Sequence, residues 1–254
     1  IVLESQPIST LIGSSTKEII NIPMFQRPYK WDKHQVTQFL NDFNIIVDRD
    51  LDDDYHFLGL VVYVNQREHN INKAIDIIDG QQRLTTIFLM ISVIRDLMQN
   101  LFFNEKERFG EYDLQDLNGD ILNASKMMIQ DNGNSKLTTE NESYLEKEIL
   151  SAIQKGFREF YEDKDDNFLS LLNQQPTSYK NICDAKIEYL YNLGDKRKTK
   201  HKKAIKAYKL IYENIKDKIK EHDNPVNRYK DLESFFKIVT EQFHIISFPL
   251  PSYN

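Results

Sequence analysis

The chain has a single cysteine, Cys183, in 254 residues. One thiol closes no disulfide within the chain and builds no cysteine zinc cluster, so a reducing compartment such as the cytoplasm suits it. Glycine and proline are scarce, at eight and seven residues, which disfavours a turn-rich β-sandwich and favours long helices. Long apolar runs are missing as well. The longest, about Leu84 to Ile94, is interrupted by Thr85, Thr86 and Ser92 and falls well short of the ~20 residues that cross a bilayer. No secretory signal is visible, and no membrane partner is expected. The histidines show no metal-ligand spacing, and Asp52-Asp53-Asp54 lacks the glycine and alternation of a calcium loop. P-loop, dinucleotide-fingerprint and nucleophile-elbow motifs are absent.

What is present is a foldable composition: 40% hydrophobic residues, with fifteen Phe and thirteen Tyr, enough to bury a sizeable core. The net charge of -6 conceals an asymmetry. Residues 101–184 carry nine Lys/Arg against seventeen Asp/Glu, whereas residues 185–220 carry twelve against four. Acidity overall argues against indiscriminate coating of nucleic acid. The basic block, with Lys196-Arg197-Lys198-Thr199-Lys200-His201-Lys202-Lys203 at its centre, reads either as a solvated helical hairpin or as a contact to phosphate backbone.

Periodicity divides the chain in two. Within residues 1–100 the order is a strand over 18–23, a helix over 32–47, a strand over 56–64, a polar hairpin loop over 65–73, a strand over 74–78 and a helix over 84–98. Asp32, with Gln35 three residues on, supplies a capping-box-like start. Residues 101–254 read as mainly helical, with polar connections near 104–120, 130–140, 163–181 and 194–202 and a closing strand near 243–248. The expected class is α+β: a small α+β domain over 1–100 followed by a mostly helical region over 101–254. The chain begins without Met and stops at Asn254 without a terminating signal, so it is expected to be a C-terminally truncated piece of a longer protein.

The element that carries chemistry is Asp79-Gly80-Gln81-Gln82-Arg83, set between an apolar strand and an apolar helix. A strand that turns at once into a helix presents free N–H groups and the positive end of a helix dipole to an anion. Gly80 permits a positive φ or a close approach. Arg83 offers a planar fork to phosphate oxygens. Asp79 would repel phosphate unless it holds a cation such as Mg²⁺ or takes a proton from water. Gln81 and Gln82 can orient a water or read a base edge, and Thr85 and Thr86 can add hydroxyls. An ordinary turn, with Asp79 as the helix cap and Arg83 paired to a surface acid, is the plainer alternative.

A second constellation, Gln26-Arg27-Pro28-Tyr29-Lys30-Trp31, mixes cations and aromatics between a strand and a helix. Tyr29 and Trp31 can stack on a nucleobase while Arg27 and Lys30 reach phosphates. Alternatively the rings staple the helix onto the sheet, with Arg27 stacked on them.

Taken together, Ile22-Pro23, Phe25 to Trp31, Phe57-Leu58-Gly59 and Ile77 to Thr86 resemble the N-terminal domain of GmrSD-type restriction proteins, the ParB/sulfiredoxin-like family with a DGQQR motif. The match is dense over residues 19–90. The resemblance implies a domain that binds and hydrolyses a nucleoside triphosphate, usually with a divalent metal, in a bacterial defence protein directed at modified DNA. Asp79, Gln81, Gln82 and Arg83 would be catalytic, with Asp79 also holding the metal. Gln26, Arg27, Tyr29, Trp31, Gly80, Thr85 and Thr86 would bind the nucleotide. Cleavage would belong to an HNH-type nuclease domain, C-terminal or separate, and self-association into a homo-oligomer is left open. The rival readings are a non-catalytic module that senses nucleotide or DNA and controls a nuclease, and a nuclease in its own right.

Overall fold

Asp32 begins the best-signalled helix. Its Oδ1 accepts from the His34 N–H at 2.9 Å while Gln35 Oε1 accepts from the Asp32 N–H at 2.9 Å, so two of the donors that a helix start leaves over are satisfied reciprocally. The computed structural model describes residues 4–15, 18–49, 55–65, 74–140, 144–173, 181–195 and 202–251. The Asp52-Asp53-Asp54 triad, residues 66–73 of the expected hairpin loop and residues 196–201 of the basic run lie outside them.

The elements are β1 (Gln6–Pro7), α1 (Ser9–Ile12), β2 (Ile19–Ile22), α2 (Lys33–Arg49), β3 (His56–Asn65), β4 (Ala74–Asp79), α3 (Gln81–Glu105), α4 (Glu111–Met128), β5 (Leu137–Thr139), α5 (Tyr144–Gln154), α6 (Phe157–Glu162), α7 (Asp166–Asn173), α8 (Ile182–Asp195), α9 (Lys202–Ile219), α10 (Pro225–Lys237) and β6 (Phe243–Leu250). A π-helical turn, Ile238–Gln242, joins α10 to β6. The class is α+β, as expected. Three stretches expected as connections contain structure: α4 occupies much of 104–120, β5 falls in 130–140 and α7 in 163–181. Short or mostly exposed elements carry too few apolar residues to show a period, and packing against neighbours forms them.

One mixed sheet runs in the order β1-β6-β3-β4-β2-β5. The strand expected near 243–248 does more than close the fold. As β6 it lies between β1 and β3, parallel to β3 from His56↔Phe243 to Val64↔Leu250. Both sides of residue 100 therefore contribute strands to the same sheet, and their apolar residues form one buried cluster. On it, Phe39 and Phe43 of α2 set ring edges against Phe243, with centroids 5.4 and 6.4 Å apart, the geometry that aromatic quadrupoles favour.

The 25-residue α3 is the centre of the molecule. It starts three residues before and ends seven after the expected 84–98 span, its first turn being formed by the polar Gln81, Gln82 and Arg83. It is the one helix among the described residues long and apolar enough to cross a membrane, yet 83% of its apolar window is buried inside the fold. Midway along it sit two fully buried charges, Arg95 and Asp96. Arg95 holds Asp96 Oδ1 and donates to the carbonyls of Gln154 and Lys155 at the end of α5. Asp96 Oδ2 in turn accepts from Lys186 Nζ of α8 at 2.5 Å and from the Tyr208 hydroxyl of α9 at 2.6 Å. Burial pushes the Lys186 amine down to about 8, with Asp96 pulling the other way, and pushes the neighbouring Cys183 thiol and Tyr208 hydroxyl up. The Arg95–Asp96 pair thus ties α3, α5, α8 and α9 together.

Candidate active site at the start of the central helix

β4 leads directly into α3 through Gly80, whose φ is +94°. A side chain there would be strained, and its Cβ would lie 3.1 Å from Val61 Cγ2 and 3.2 Å from the Leu60 carbonyl oxygen. No side chain caps α3, and its first backbone bond runs from Leu84 N–H to the Gly80 carbonyl at 3.0 Å. The β3–β4 ladder is irregular next to this point, where the register shifts between Val62 and Tyr63 opposite the end of β4. Such bulges re-aim side chains at sheet ends.

The two constellations meet. Gln26 Nε2 donates to the Ile78 carbonyl at 2.7 Å, and Gln26 Oε1 accepts from Gln81 Nε2 at 3.0 Å. Gln82 clamps the neighbouring loop with both ends of its amide: Nε2 donates to the Pro28 carbonyl at 2.9 Å and Oε1 accepts from the Lys30 N–H at 2.7 Å. The buried Tyr29 hydroxyl and Thr86 Oγ1 share a hydrogen bond of 2.9 Å, and burial pushes that phenol far up. Thr85 and Thr86 also donate back to the carbonyls of Gln81 and Gln82 at 2.8 and 2.9 Å. Tyr29, Thr85 and Thr86 thus point into the protein.

Arg83 reaches β3, donating through Nη1 to the Leu58 carbonyl and through Nη2 to the Leu60 carbonyl at 2.9 Å. Gly59 between them has φ +111°, and a Cβ there would stand 1.9 Å from Arg83 Nη1. The glycine leaves room for the guanidinium and bulges β3 so that its carbonyls turn toward it. Gly59 is a site residue that the sequence reading used only as part of a resemblance. Its signal was a lone glycine in a strand of β-branched and aromatic residues.

Two expected site residues remain outward. Asp79 and Arg27 are exposed and make no side-chain hydrogen bond or ion pair among the described residues. They lie on adjacent segments, since Gln26 is bonded to both Ile78 and Gln81. Between Arg27, Tyr29, Gln82, Thr85 and Glu146 is a cavity of about 20 Å³, room for one water rather than a nucleotide. A ligand of that size would have to lie outside it. Trp31 is set apart: half-buried, with its ring 6.2 Å from Phe39, it faces a groove between α2 and α9.

No group of three or more His, Cys, Asp or Glu side chains suited to a metal occurs among the described residues. An exposed lone carboxylate such as Asp79 fits Mg²⁺ in the manner usual for that ion, which keeps most of its ligands as water and substrate phosphate.

Sheet, uncapped helix start and convergent polar loop define an α+β domain whose two polar constellations meet at a strand-to-helix junction. The chain belongs to the family described as the GmrSD restriction endonuclease, N-terminal domain, whose model matches residues 8–254. Its setting is therefore that of a restriction protein. No curated protein sequence matches it.

Proposed function

We propose that this domain binds and hydrolyses a nucleoside triphosphate within a restriction protein that targets modified DNA. The observation that supports this best is the uncapped start of α3 behind a left-handed Gly80, with exposed Asp79 and Arg27 beside it. Free N–H groups and the helix dipole favour phosphate there, and Arg27 adds a fork of donors. Asp79 orients the attacking water or holds the cation, and the bound cation would neutralise charge on the transferring phosphoryl group. Gln26 and Gln81 hold the turn in place, while Gln82 and Arg83 anchor it to the Pro28–Lys30 loop and to β3.

The test is phosphate release from each nucleoside triphosphate, with and without Mg²⁺ and modified DNA. Asp79→Asn is the informative variant, because the Asp79 side chain bonds no other element among the described residues, whereas Arg83→Ala would loosen β3. Release should need a divalent cation and fall by about 10²-fold or more in Asp79→Asn. Wild-type release no higher than that of the variant under every condition overturns the hydrolysis reading.

A second reading, a nucleotide sensor without turnover that controls a separate HNH-type nuclease, draws on the inward engagement of Gln81, Gln82 and Arg83. Saturable nucleotide binding without release would favour it.

A further inference from the structure

Between the first turn of α2 and the exposed side of α9 is an open groove of about 490 Å³. Its floor is apolar, made by Trp31, Val36 and Leu210, and its walls carry Lys33 on one side and Lys203, Lys206 and Lys209 on the other. Two carboxylates, Asp32 and Glu213, also line it. Asp32 is engaged in capping α2, and Glu213 lies 3.7 Å from Lys209. Lys33 and Lys206 are exposed and have no ion pair among the described residues. The backbone ahead of Trp31 is held from both sides, since the Lys30 N–H donates to Gln82 Oε1 at 2.7 Å and the Lys30 carbonyl accepts from Lys203 Nζ at 2.7 Å. The indole is therefore a half-exposed plate presented at a defined place among four lysines.

We propose that this groove binds a single-stranded segment of DNA, with a base stacked on Trp31 and successive phosphates along α9. The chemistry selects that occupant. Aromatic plates flanked by cations are how sequence-tolerant strand binding works. Lys203, Lys206 and Lys209 recur every three residues and so rise about 9 Å along the helix, enough to meet more than one phosphate of a strand. A lone mononucleotide would use only one end of that row, and an acidic peptide would have no use for the plate. The proposal does not depend on nucleotide turnover at Asp79.

Trp31 is the only tryptophan in the chain, so its fluorescence reports on the groove alone. Titration with an oligothymidylate of about eight nucleotides, within the usual site sizes, should quench it saturably and more weakly as salt rises. In the double variant Lys206→Gln/Lys209→Gln the slope of log affinity against log salt should become shallower by about 1.4, at ~0.7 per lost phosphate contact. The circular dichroism spectrum and DNA-free phosphate release should stay unchanged. Absence of quenching by the oligonucleotide, an unaltered slope in the folded double variant, or quenching by free nucleoside triphosphate in place of the oligonucleotide each overturns the proposal. Wild-type phosphate release no higher than that of Asp79→Asn, with quenching intact, counts against the hydrolysis reading alone.

Discussion

The polar residues of α3 and two lysines of the α2–α9 groove, Lys33 and Lys206, are in opposite states. Along α3, Gln82, Arg83, Arg95 and Asp96 each hold two or more groups of the protein, and Gln81 is bonded to Gln26. In the groove, Lys33 and Lys206 stand in solvent. A charge withdrawn from water must be matched by partners, so removing it leaves those partners unsatisfied. A lysine in solvent costs the fold nothing and stays available to a ligand. The lesson concerns the motif itself. The most conspicuous polar pentapeptide in the chain is largely engaged in building its own turn, and among the described residues its one unengaged side chain is Asp79, at its edge and near exposed Arg27.

That contrast can be broken by mutation. Asp96→Ala should show the largest loss, about 3–5 kcal/mol in urea denaturation, because it strands Arg95 and Lys186 in the core; a loss below about 1 kcal/mol would mean that the buried network contributes little. Gly59→Ala should follow at about 2–4 kcal/mol, combining a strained positive φ with displacement of Arg83 from two carbonyls. A crystal structure of that variant with Arg83 still on Leu58 and Leu60 would refute the account of why a glycine stands there. At the small end, Lys206→Gln/Lys209→Gln should shift stability by no more than about 0.5 kcal/mol, as exposed substitutions usually do. A larger loss would mean that the groove, too, is structural.

Much of the architecture was readable from spacing. The capped start of α2, the β-branched runs of β3 and β4 and the strand at Phe243 all announce themselves within a window of a few residues, which is the range over which backbone geometry and burial pattern are coupled. The composite nature of the turn was also legible, since Gln26 and Arg27 were expected to join it across more than fifty residues, and Gln26 does so through Ile78 and Gln81. The direction in which its side chains point was not. Arg83 could as well have faced a phosphate as two strand carbonyls, and only the bulge at Gly59 brings those carbonyls within reach. The separation of Tyr29 from Trp31 was equally hidden: adjacent in motif, one is sealed against Thr86 and the other opens on the groove.

By itself, then, the sequence determined the α+β class, the main helices and strands and the DGQQR turn, because each depends on local periodicity or on the permissive backbone of one glycine. The tertiary structure decided that β6 would lie beside β3, that Arg95 and Asp96 together would join four helices, and that Trp31 would meet the lysines of α9. These depend on contacts between residues up to about two hundred positions apart, and no local pattern encodes which of many buried surfaces will meet.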